Sequence, residues 1–347
     1  MAMEIDKPFM EDVKSKSTAL FQEAPEHIRA RACGTKEEYA KVVDKYDSWL
    51  LDCDGVIWRG GETLPAAVEA VKELMEKKVL FVTNDSRKSR KQYQEKLLGM
   101  GIPADESDVV PSSFMAADYL KQKHPECKKA FVIGEQGLCD ELELHGVQTL
   151  GAQQPGFADA ARFLEEDFAS AELDPDVGAV VVGWDLSFSY KKLCLASLYL
   201  QRNPGCVFVS CAPDAVDMQP NGQIPGNGPL TAAVAATVEQ EPVLVGKPGE
   251  WLAKRIIELH GLKPEQTVMV GDNLNSDVKA GLAGGIATLL VLTGRTAPDD
   301  VKKLPEKDTD ILPDHIVPAL GIFVEGPHTD AASHGASAGA SSAAGNE

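Results

Sequence analysis

Short runs rich in Val, Leu and Ile recur along this chain, and stretches of helical character alternate with them. Most of these runs are uniformly apolar, which is typical of strands buried on both faces of a parallel sheet. They span residues 49–51, 79–83, 130–134, 179–183, 207–210, 243–246, 268–271 and 287–292, and helices are expected at 66–77, 89–100, 114–123, 249–260 and 276–283. The alternation predicts an α/β fold with a doubly wound, mainly parallel, Rossmann-like sheet.

Charge and composition exclude several classes of protein. The 347 residues carry a formal net charge of −19, which argues against nucleic-acid partners and against docking on an anionic membrane. No apolar run approaches the roughly 20 residues of a membrane span. The seven cysteines form no C-x-x-C or Cys/His cluster, which favours reduced thiols and disfavours zinc. We expect a cytoplasmic protein, or an organellar one if an upstream transit segment has been removed.

Two carboxylates follow the first apolar run directly. Asp52 and Asp54 are two residues apart, so they lie on the same side of an extended chain. The carboxyl ends of parallel strands are where open α/β sheets place their active sites. One carboxylate can attack a phosphorus atom while the other handles the proton. An ordinary polar turn after a strand explains this segment equally well when it is taken alone.

Polar residues also follow two further runs. Thr83 offers a hydroxyl group, Asn84 an amide and the turn at Asp85 backbone N–H groups, which together can cradle a phosphoryl oxygen. Asp85 also suits a helix N-cap, and the two roles are compatible. Lys247, between a glycine and a proline, can neutralise phosphate and nucleophile charge, although a solvated lysine is the ordinary alternative.

The last apolar run with a polar end introduces two more carboxylates. Asp272 stands at a predicted strand end, and Asp277 lies near the start of the next helix, where the chain can fold it back beside Asp272. Hard oxygen ligands that leave room for water and phosphate suit Mg²⁺. Asp277 is also explained as a first-turn acid favoured by the helix dipole. A calcium loop fits poorly, because the regular acidic spacing and the closing Glu are absent.

In this order, the four segments resemble the haloacid-dehalogenase superfamily of phosphatases. More narrowly, they are similar to the 4-nitrophenylphosphatase branch, which contains phosphoglycolate phosphatase and pyridoxal phosphatase. The resemblance covers residues 46–294, and its motifs are DCDGVIW at 52–58, FVTNDS at 81–86, VVGWD at 181–185, GKP at 246–248 and VMVGD at 268–272. Asn273 and Ser276 depart from the Arg and Thr of many relatives, so an Arg ion pair of the family is lost.

The resemblance implies a role for each singled-out residue. Asp52 is expected to be the nucleophile and Asp54 the general acid and base. The residues expected to hold the phosphoryl group or balance its charge are Thr83, Asn84, Asp85 and Lys247. The metal ligands expected for Mg²⁺ are Asp52, the backbone carbonyl of Asp54, and Asp272, with Asp277 supporting the metal shell.

The same resemblance divides the chain. We expect an N-terminal extension at 1–45, a core domain at 46–128 and 242–325, an inserted α/β cap domain at 129–241, and a disordered tail at 326–347. The cap would close over the site and select the substrate. A homodimer formed through the cap is also suggested by the family.

The function expected from these observations is Mg²⁺-dependent hydrolysis of small phosphate monoesters, with 2-phosphoglycolate as the first candidate. A pyridoxal phosphate phosphatase or a broad 4-nitrophenyl phosphatase is the alternative within the enzyme class. An idle binding relative is the alternative of another class, but it requires the loss of a reactive residue, and Asp52, Asp54 and Lys247 are all present. A nicotinamide dehydrogenase would need G-x-G-x-x-G after its first strand, which is missing.

Overall fold

The computed structural model of this protein describes residues 7–152, 172–219, 222–307 and 310–324. The strands in these ranges are β1 Ser48–Leu51, β2 Trp58–Arg59, β3 Glu62–Thr63, β4 Lys78–Thr83, β5 Val109–Pro111, β6 Lys129–Ile133, β7 Gln148–Gly151, β8 Ala179–Val182, β9 Val207–Ser210, β10 Val216–Gln219, β11 Gly222–Pro225, β12 Val243–Leu244, β13 Thr267–Gly271, β14 Ala287–Val291 and β15 His315–Val317. The α-helices are Lys7–Glu23, Glu26–Arg29, Lys36–Lys45, Ala67–Leu74, Arg90–Gly99, Ser112–Lys123, Gln136–Leu144, Tyr190–Arg202, Asn227–Ala235, Glu250–His260, Lys279–Ala283 and Pro298–Lys302. The tail predicted at 326–347 lies outside the described residues.

Two parallel sheets organise the chain. The first has six strands in the order β15-β14-β13-β1-β4-β5, and the second has five in the order β12-β9-β8-β6-β7. Neighbouring strands run parallel throughout both sheets. Two short antiparallel hairpins, β2–β3 and β10–β11, stand apart from them. The predicted parallel α/β fold is therefore confirmed.

The six-stranded sheet is buried on both faces, as its uniformly apolar strands predict. In β1, Trp49 and Leu51 belong to one apolar cluster and Leu50 to another, because successive side chains of a strand point to opposite faces. Strand β4 repeats the pattern, with Phe81 in the first cluster and Leu80 in the second. Burial of both faces places the polar groups of this sheet at the strand ends.

The five-stranded sheet is inserted between β5 and β13 of the first sheet. Its last strand, β12, pairs in parallel with β9, with Val243 opposite Val209 and Leu244 opposite Ser210. The predicted division at 241/242 therefore falls just before this strand rather than after it. Two paired residues hold β12 to the inserted sheet, and the chain returns toward the first sheet at Gly246 and Lys247, across a cis Lys247–Pro248 peptide bond.

The N-terminal helices pack beside the turn that carries Asp277. Leu20 and Ile28 are fully buried in a cluster that also contains Leu274 and Val278, which flank that aspartate. Thr35 caps the third helix by accepting a hydrogen bond from the Glu38 backbone, with Glu38 completing the capping box. The described part of the predicted N-terminal extension thus contributes to the apolar support of the first sheet.

The described residues contain free cysteines and no candidate membrane-spanning helix. All seven cysteines are free and buried, in line with the predicted reduced thiols. None of the described helices combines the length and apolar character needed to cross a bilayer.

Candidate active site

Three carboxylates meet where β1 and β13 end side by side. The Asp52 N–H donates to the Val270 carbonyl at 2.8 Å, which continues the pairing of the two strands. Asp277 stands in a π-helical turn, Leu274–Val278, and is folded back because the Asn273 N–H donates to its Oδ2 at 3.1 Å. Carboxylate oxygens of Asp52, Asp272 and Asp277 all lie within 4.8 Å of one another.

One buried cation lies among these acids. Lys247 Nζ is 2.5 Å from Asp52 Oδ1, 2.7 Å from Asp277 Oδ1 and 3.0 Å from the Val82 carbonyl. Burial opposes its charge, but the carboxylates of Asp277 and Asp52 outweigh burial and raise the pKa of Lys247. The lysine is therefore a fixed positive charge rather than a solvated surface group.

Excess negative charge remains after this pairing. Burial, followed by the charges of its neighbours, raises the pKa of Asp52 well above its usual range despite the opposing effect of Lys247. Burial and the charge of Asp277 raise the pKa of Asp272 to about 7. Three acids share one ammonium group, so a second cation would relieve the repulsion. The oxygen-only donor set fits a hard divalent ion such as Mg²⁺.

The Asp272 carboxylate sits in a cradle made by glycines. Gly55 has a φ of +82°, and a Cβ there would lie 2.5 Å from Asp272 Oδ2. A Cβ on Gly294 would collide with the same oxygen. The Arg295 N–H donates to this oxygen at 2.5 Å. Only residues without a side chain allow the backbone to approach so closely, so the cradle fixes the carboxylate in place.

Asp54 differs from Asp52, Asp272 and Asp277 because its side chain is exposed, whereas theirs are buried. The indole N–H of Trp58 donates to Asp54 Oδ1 at 2.9 Å, and Lys96 Nζ lies 3.3 Å from the centroid of the Trp58 ring. Asp54 also lines the cavity described below. Reduced hydration and the charge of Asp85 raise its pKa to about 6. A carboxyl group with this pKa can both give and take a proton near neutral pH.

The side chains of Asn84 and Asp85, in the turn after β4, hold neighbouring residues in position. The Asn84 side chain donates to Asp214 Oδ2 at 2.8 Å and to the Lys247 carbonyl at 2.9 Å, and it accepts from the Lys247 N–H at 2.8 Å. Its amide hydrogens are thus occupied by protein groups. The Asp85 carboxylate accepts from Arg87 at 2.8 and 2.9 Å, and the Asp85 N–H donates to Thr83 Oγ1 at 3.2 Å.

These contacts limit the predicted phosphate-binding set. The side chains of Asn84 and Asp85 are not free to meet a phosphoryl group, since they hold Lys247 and Arg87. Burial alone would raise the pKa of Asp85, but the contacts with Arg87 bring it below its ordinary value. Thr83 and Lys247 line the cavity, and their predicted role stays a prediction.

A cavity of about 140 Å³ opens above these groups. It is also lined by residues that were not predicted as site residues. Those from the first sheet and its loops are Arg59 and Arg295, and those from the inserted part are Trp184, Asp214, Val216, Asp217, Met218 and Asn227. The cavity is therefore enclosed jointly by both parts of the chain.

Hydrogen bonds join the two parts around this cavity. Besides the Asn84–Asp214 contact, the Trp184 N–H donates to Ser86 Oγ at 2.9 Å. Arg295 Nη1 donates to the Val216 carbonyl at 3.0 Å. The inserted part is thus in direct contact with both loops that border the carboxylates.

Comparison with known proteins gives consistent matches. A family model for haloacid dehalogenase-like hydrolases matches residues 49–148, and a second, HAD-hydrolase-like model matches residues 244–321. Phosphoglycolate phosphatase 2 of Arabidopsis thaliana is 39% identical over 300 residues, covering 84% of this chain and 96% of that protein. Glycerol-3-phosphate phosphatase of Gallus gallus is 39% identical over 290 residues, covering 80% and 91%.

A solved structure agrees with the fold. The glycerol phosphate phosphatase of Mycobacterium tuberculosis, determined in complex with magnesium, superposes with a TM-score of 0.66 at 25% identity, covering 80% of this chain and 76% of that one. The superposition covers more of this chain than the two family models, which leave the region between residues 148 and 244 unmatched.

Proposed function

This chain belongs to the haloacid dehalogenase-like hydrolases and is a phosphoric monoester hydrolase, and from that premise we propose that it hydrolyses small phosphate monoesters with Mg²⁺ through an aspartyl-phosphate on Asp52. The observation that carries the proposal is the buried group of Asp52, Asp272, Asp277 and Lys247 at the base of one cavity. A nucleophile, a balancing cation and a metal-type acid cluster are present at the same strand ends.

In the first step, a carboxylate oxygen of Asp52 attacks the phosphorus atom and the bond from phosphorus to the leaving oxygen breaks. Asp54 lies two residues away and opens to the same cavity, so it donates its proton to the leaving oxygen. Lys247, held 2.5 Å from Asp52, fixes the nucleophile and offsets the charge of the phosphoryl oxygens. Thr83 offers a hydroxyl group to one of these oxygens.

In the second step, water attacks the phosphorus atom of the aspartyl-phosphate. Asp54 is now a carboxylate and takes the proton of that water, which releases inorganic phosphate and restores Asp52. The raised pKa of Asp54, about 6, suits a group that must alternate between acid and base. Asn84 and Asp85 act as positioning residues, because they hold the backbone of Lys247 and the Arg87 side chain.

The residues that would hold Mg²⁺ are Asp52, Asp272 and the Asp54 backbone carbonyl, with Asp277 linking this shell to Lys247. When bound, the ion would neutralise phosphoryl charge and orient the ester for attack. The shared negative charge of the acids and the glycine cradle of Asp272 support this assignment. That a similar phosphatase was solved in complex with magnesium is consistent with it.

We assign the inserted part of the chain, which contains the five-stranded sheet and the β10–β11 hairpin, the role of a cap. Its residues Trp184, Asp214 and Val216 contact the loops around the acids and line the cavity, which supports a part in closing the site and testing the leaving group. Whether the cap also forms a homodimer is a separate proposal, for which solution molar mass is the test.

The first candidate substrate is 2-phosphoglycolate, supported by the similarity to the Arabidopsis phosphatase of that name. The test is a comparison of kcat/KM for 2-phosphoglycolate, glycerol 3-phosphate, pyridoxal phosphate and 4-nitrophenyl phosphate. We expect 2-phosphoglycolate to have the highest value. A higher value for another ester would replace the substrate and keep the mechanism, whereas no turnover of any ester would contradict the mechanism itself.

Metal removal is expected to abolish hydrolysis. Excess chelator should reduce activity to background, and Mg²⁺ should restore it. Ca²⁺ should bind the same oxygens but inhibit, because it takes more ligands at longer distances. Steady-state rates with chelator already saturated by Mg²⁺ provide the control, and circular dichroism checks that the fold survives. Full activity in excess free chelator would rule out the metal.

Substitution of Asp54 by Asn should depend on the leaving group. An alkoxide such as that of glycolate needs a proton, while 4-nitrophenolate is stable without one. We expect kcat for 2-phosphoglycolate to fall by about 10²- to 10⁴-fold and kcat for 4-nitrophenyl phosphate to fall much less. Trp58→Phe, which removes the hydrogen bond to Asp54 but keeps the carboxyl group itself, is the matched control and should have a smaller effect. Equal losses on both esters would show that Asp54 serves geometry instead of proton transfer.

A further inference from the structure

We propose that Arg59 is a specificity-determining residue, which binds the second anionic group of the substrate and so selects phosphate monoesters whose leaving group bears a carboxylate. The proposal rests on the phosphatase function proposed above. Three observations carry it: Arg59 lies on the cavity wall, it has no carboxylate partner among the described residues, and it contacts the N-terminal helix.

Arg59 lies on the leaving-group side of the site. It follows Trp58 in strand β2, and the Trp58 indole donates to Asp54, the residue that would protonate the leaving oxygen. Arg59 and the adjoining Gly60 line the same cavity as Asp54. A substrate whose phosphorus lies at Asp52 therefore has its leaving group near the hairpin that carries Arg59.

The charge of Arg59 is available to a ligand. Its cross-strand neighbour is Glu62, but no carboxylate oxygen of the described residues lies within 4.0 Å of the Arg59 guanidinium. Arg87 and Arg90, by contrast, are each held by a carboxylate, at 2.8 Å from Asp85 and 3.1 Å from Glu141. Arg59 can thus pair with an incoming anion without first breaking an ion pair.

The other charges of the cavity are mostly negative, which favours a role for this cation. Its acids are Asp52, Asp54, Asp85, Asp214, Asp217 and Asp272, against the cations Lys247, Arg59 and Arg295. Lys247 is already shared by two carboxylates, and the Arg295 guanidinium donates to the Val216 carbonyl. A second carboxylate on the substrate would be repelled by this wall unless an arginine met it. Planar guanidinium groups suit carboxylates because they donate two parallel hydrogen bonds.

The N-terminal helix sets the position of this arginine. The guanidinium carbon of Arg59 lies 5.4 Å from the centroid of the Phe9 ring, within the range of a cation–π contact. Phe9 does not line the cavity, and its contact with Arg59 connects it to the site. The helix Lys7–Glu23 therefore packs against the first sheet and also contacts an arginine on the cavity wall.

The test compares three esters in the full-length protein: 2-phosphoglycolate, glycerol 3-phosphate and 4-nitrophenyl phosphate. Arg59→Gln should raise KM for 2-phosphoglycolate by about 5- to 20-fold, the loss of one partly screened charge-assisted contact. The kcat/KM values for the other two esters should change by less than about twofold, within the range of a lost neutral contact. Arg59→Lys should recover part of the KM, because it keeps the charge without the planar fork.

Two further variants separate the parts of the proposal. Phe9→Leu should shift KM for 2-phosphoglycolate in the same direction as Arg59→Gln, but less. Arg202→Gln removes the same charge from an exposed position that does not line the cavity, and should leave the ratios between esters unchanged.

The outcomes are distinct from those that test the enzyme activity. An equal loss on all three esters in Arg59→Gln, or an unchanged KM for 2-phosphoglycolate, would overturn the role of Arg59 and leave the phosphatase function standing. Failure of the unmodified protein to hydrolyse any ester would overturn the proposed function, and this inference with it. A shift in Arg59→Gln without one in Phe9→Leu would remove the part assigned to the N-terminal helix.

Discussion

Replacement of Asp52 by Asn is expected to reduce kcat by about 10³-fold or more on every phosphate ester. The amide keeps the shape of the side chain, but it cannot attack phosphorus as a carboxylate does. It also leaves Lys247 with one fewer charged partner, since Nζ lies 2.5 Å from Asp52 Oδ1. Single-turnover kinetics with acid quench should then detect no phosphorylated protein, while the unmodified enzyme accumulates it.

Asp47→Asn provides the matched control. Asp47 is exposed and lies immediately before β1, at the end of the strand opposite to Asp52, and its backbone contacts to Gln266 and Lys78 do not involve the side chain. We expect this variant to retain full activity. If Asp52→Asn kept more than about a tenth of the activity, a difference of only about 1.4 kcal/mol in the barrier, Asp52 would not be the nucleophile.

Replacement of Lys247 by Met should affect both activity and stability. Without the ammonium group, Asp52 and Asp277 remain buried as uncompensated charges beside Asp272. Loss of one partner of a buried ion pair costs about 3–5 kcal/mol of unfolding free energy. We expect kcat/KM to fall by about 10²- to 10³-fold, the size associated with loss of one preorganised electrostatic group.

Metal dependence distinguishes this position from an ordinary buried ion pair. In Lys247→Met, Mg²⁺ should restore more stability than it gives the unmodified protein, because a bound cation stabilises the native state and offsets the missing charge. Lys192→Met is the control, since the Lys192–Asp185 pair is equally buried, at 2.6 Å, and Lys192 does not line the cavity. Chemical denaturation with chelator and with Mg²⁺ measures both effects. Equal Mg²⁺ responses in the two variants would contradict the electrostatic role of Lys247.

A double variant provides a second test of the electrostatic role of Lys247. Adding Asp277→Asn to Lys247→Met removes one of the stranded charges, so part of the unfolding free energy should return. Activity should stay low, because the cation beside Asp52 is still missing. Recovery of activity together with stability would show that Lys247 acts only through the fold.

The sequence anticipated the parts of the fold that depend on local pattern. Uniformly apolar runs located β1, β4, β6, β8, β9, β13 and β14 within a residue or two of their observed ends. The short strands β5, β7 and β15 and the two hairpins were missed. Each of these segments contains a polar residue or a proline, so no uniformly apolar run marks it. They become strands through pairing with neighbouring strands.

The candidate active site was likewise predicted only in part from the sequence. Strand-end polarity singled out Asp52, Asp54, Lys247 and Asp272, and the parallel sheet explains why such residues come together. The sequence did not reveal that the Asn84 amide donates a hydrogen bond to the backbone carbonyl of Lys247, 163 positions away. Nor did it reveal that the Asp85 carboxylate pairs with Arg87. A polar side chain in a turn can form hydrogen bonds with several alternative partners. Which partner it contacts is decided only by the packing of the folded chain.

By itself, the sequence determined the α/β class, the family and the order of the reactive groups, because each depends on residue type and short-range spacing. The tertiary structure decided which charges share partners. It placed Lys247 between Asp52, 195 positions earlier, and Asp277, and it left Arg59 on the cavity wall without a carboxylate among the described residues. The physical reason is that hydration and Coulomb energies depend on distance and burial in the folded chain.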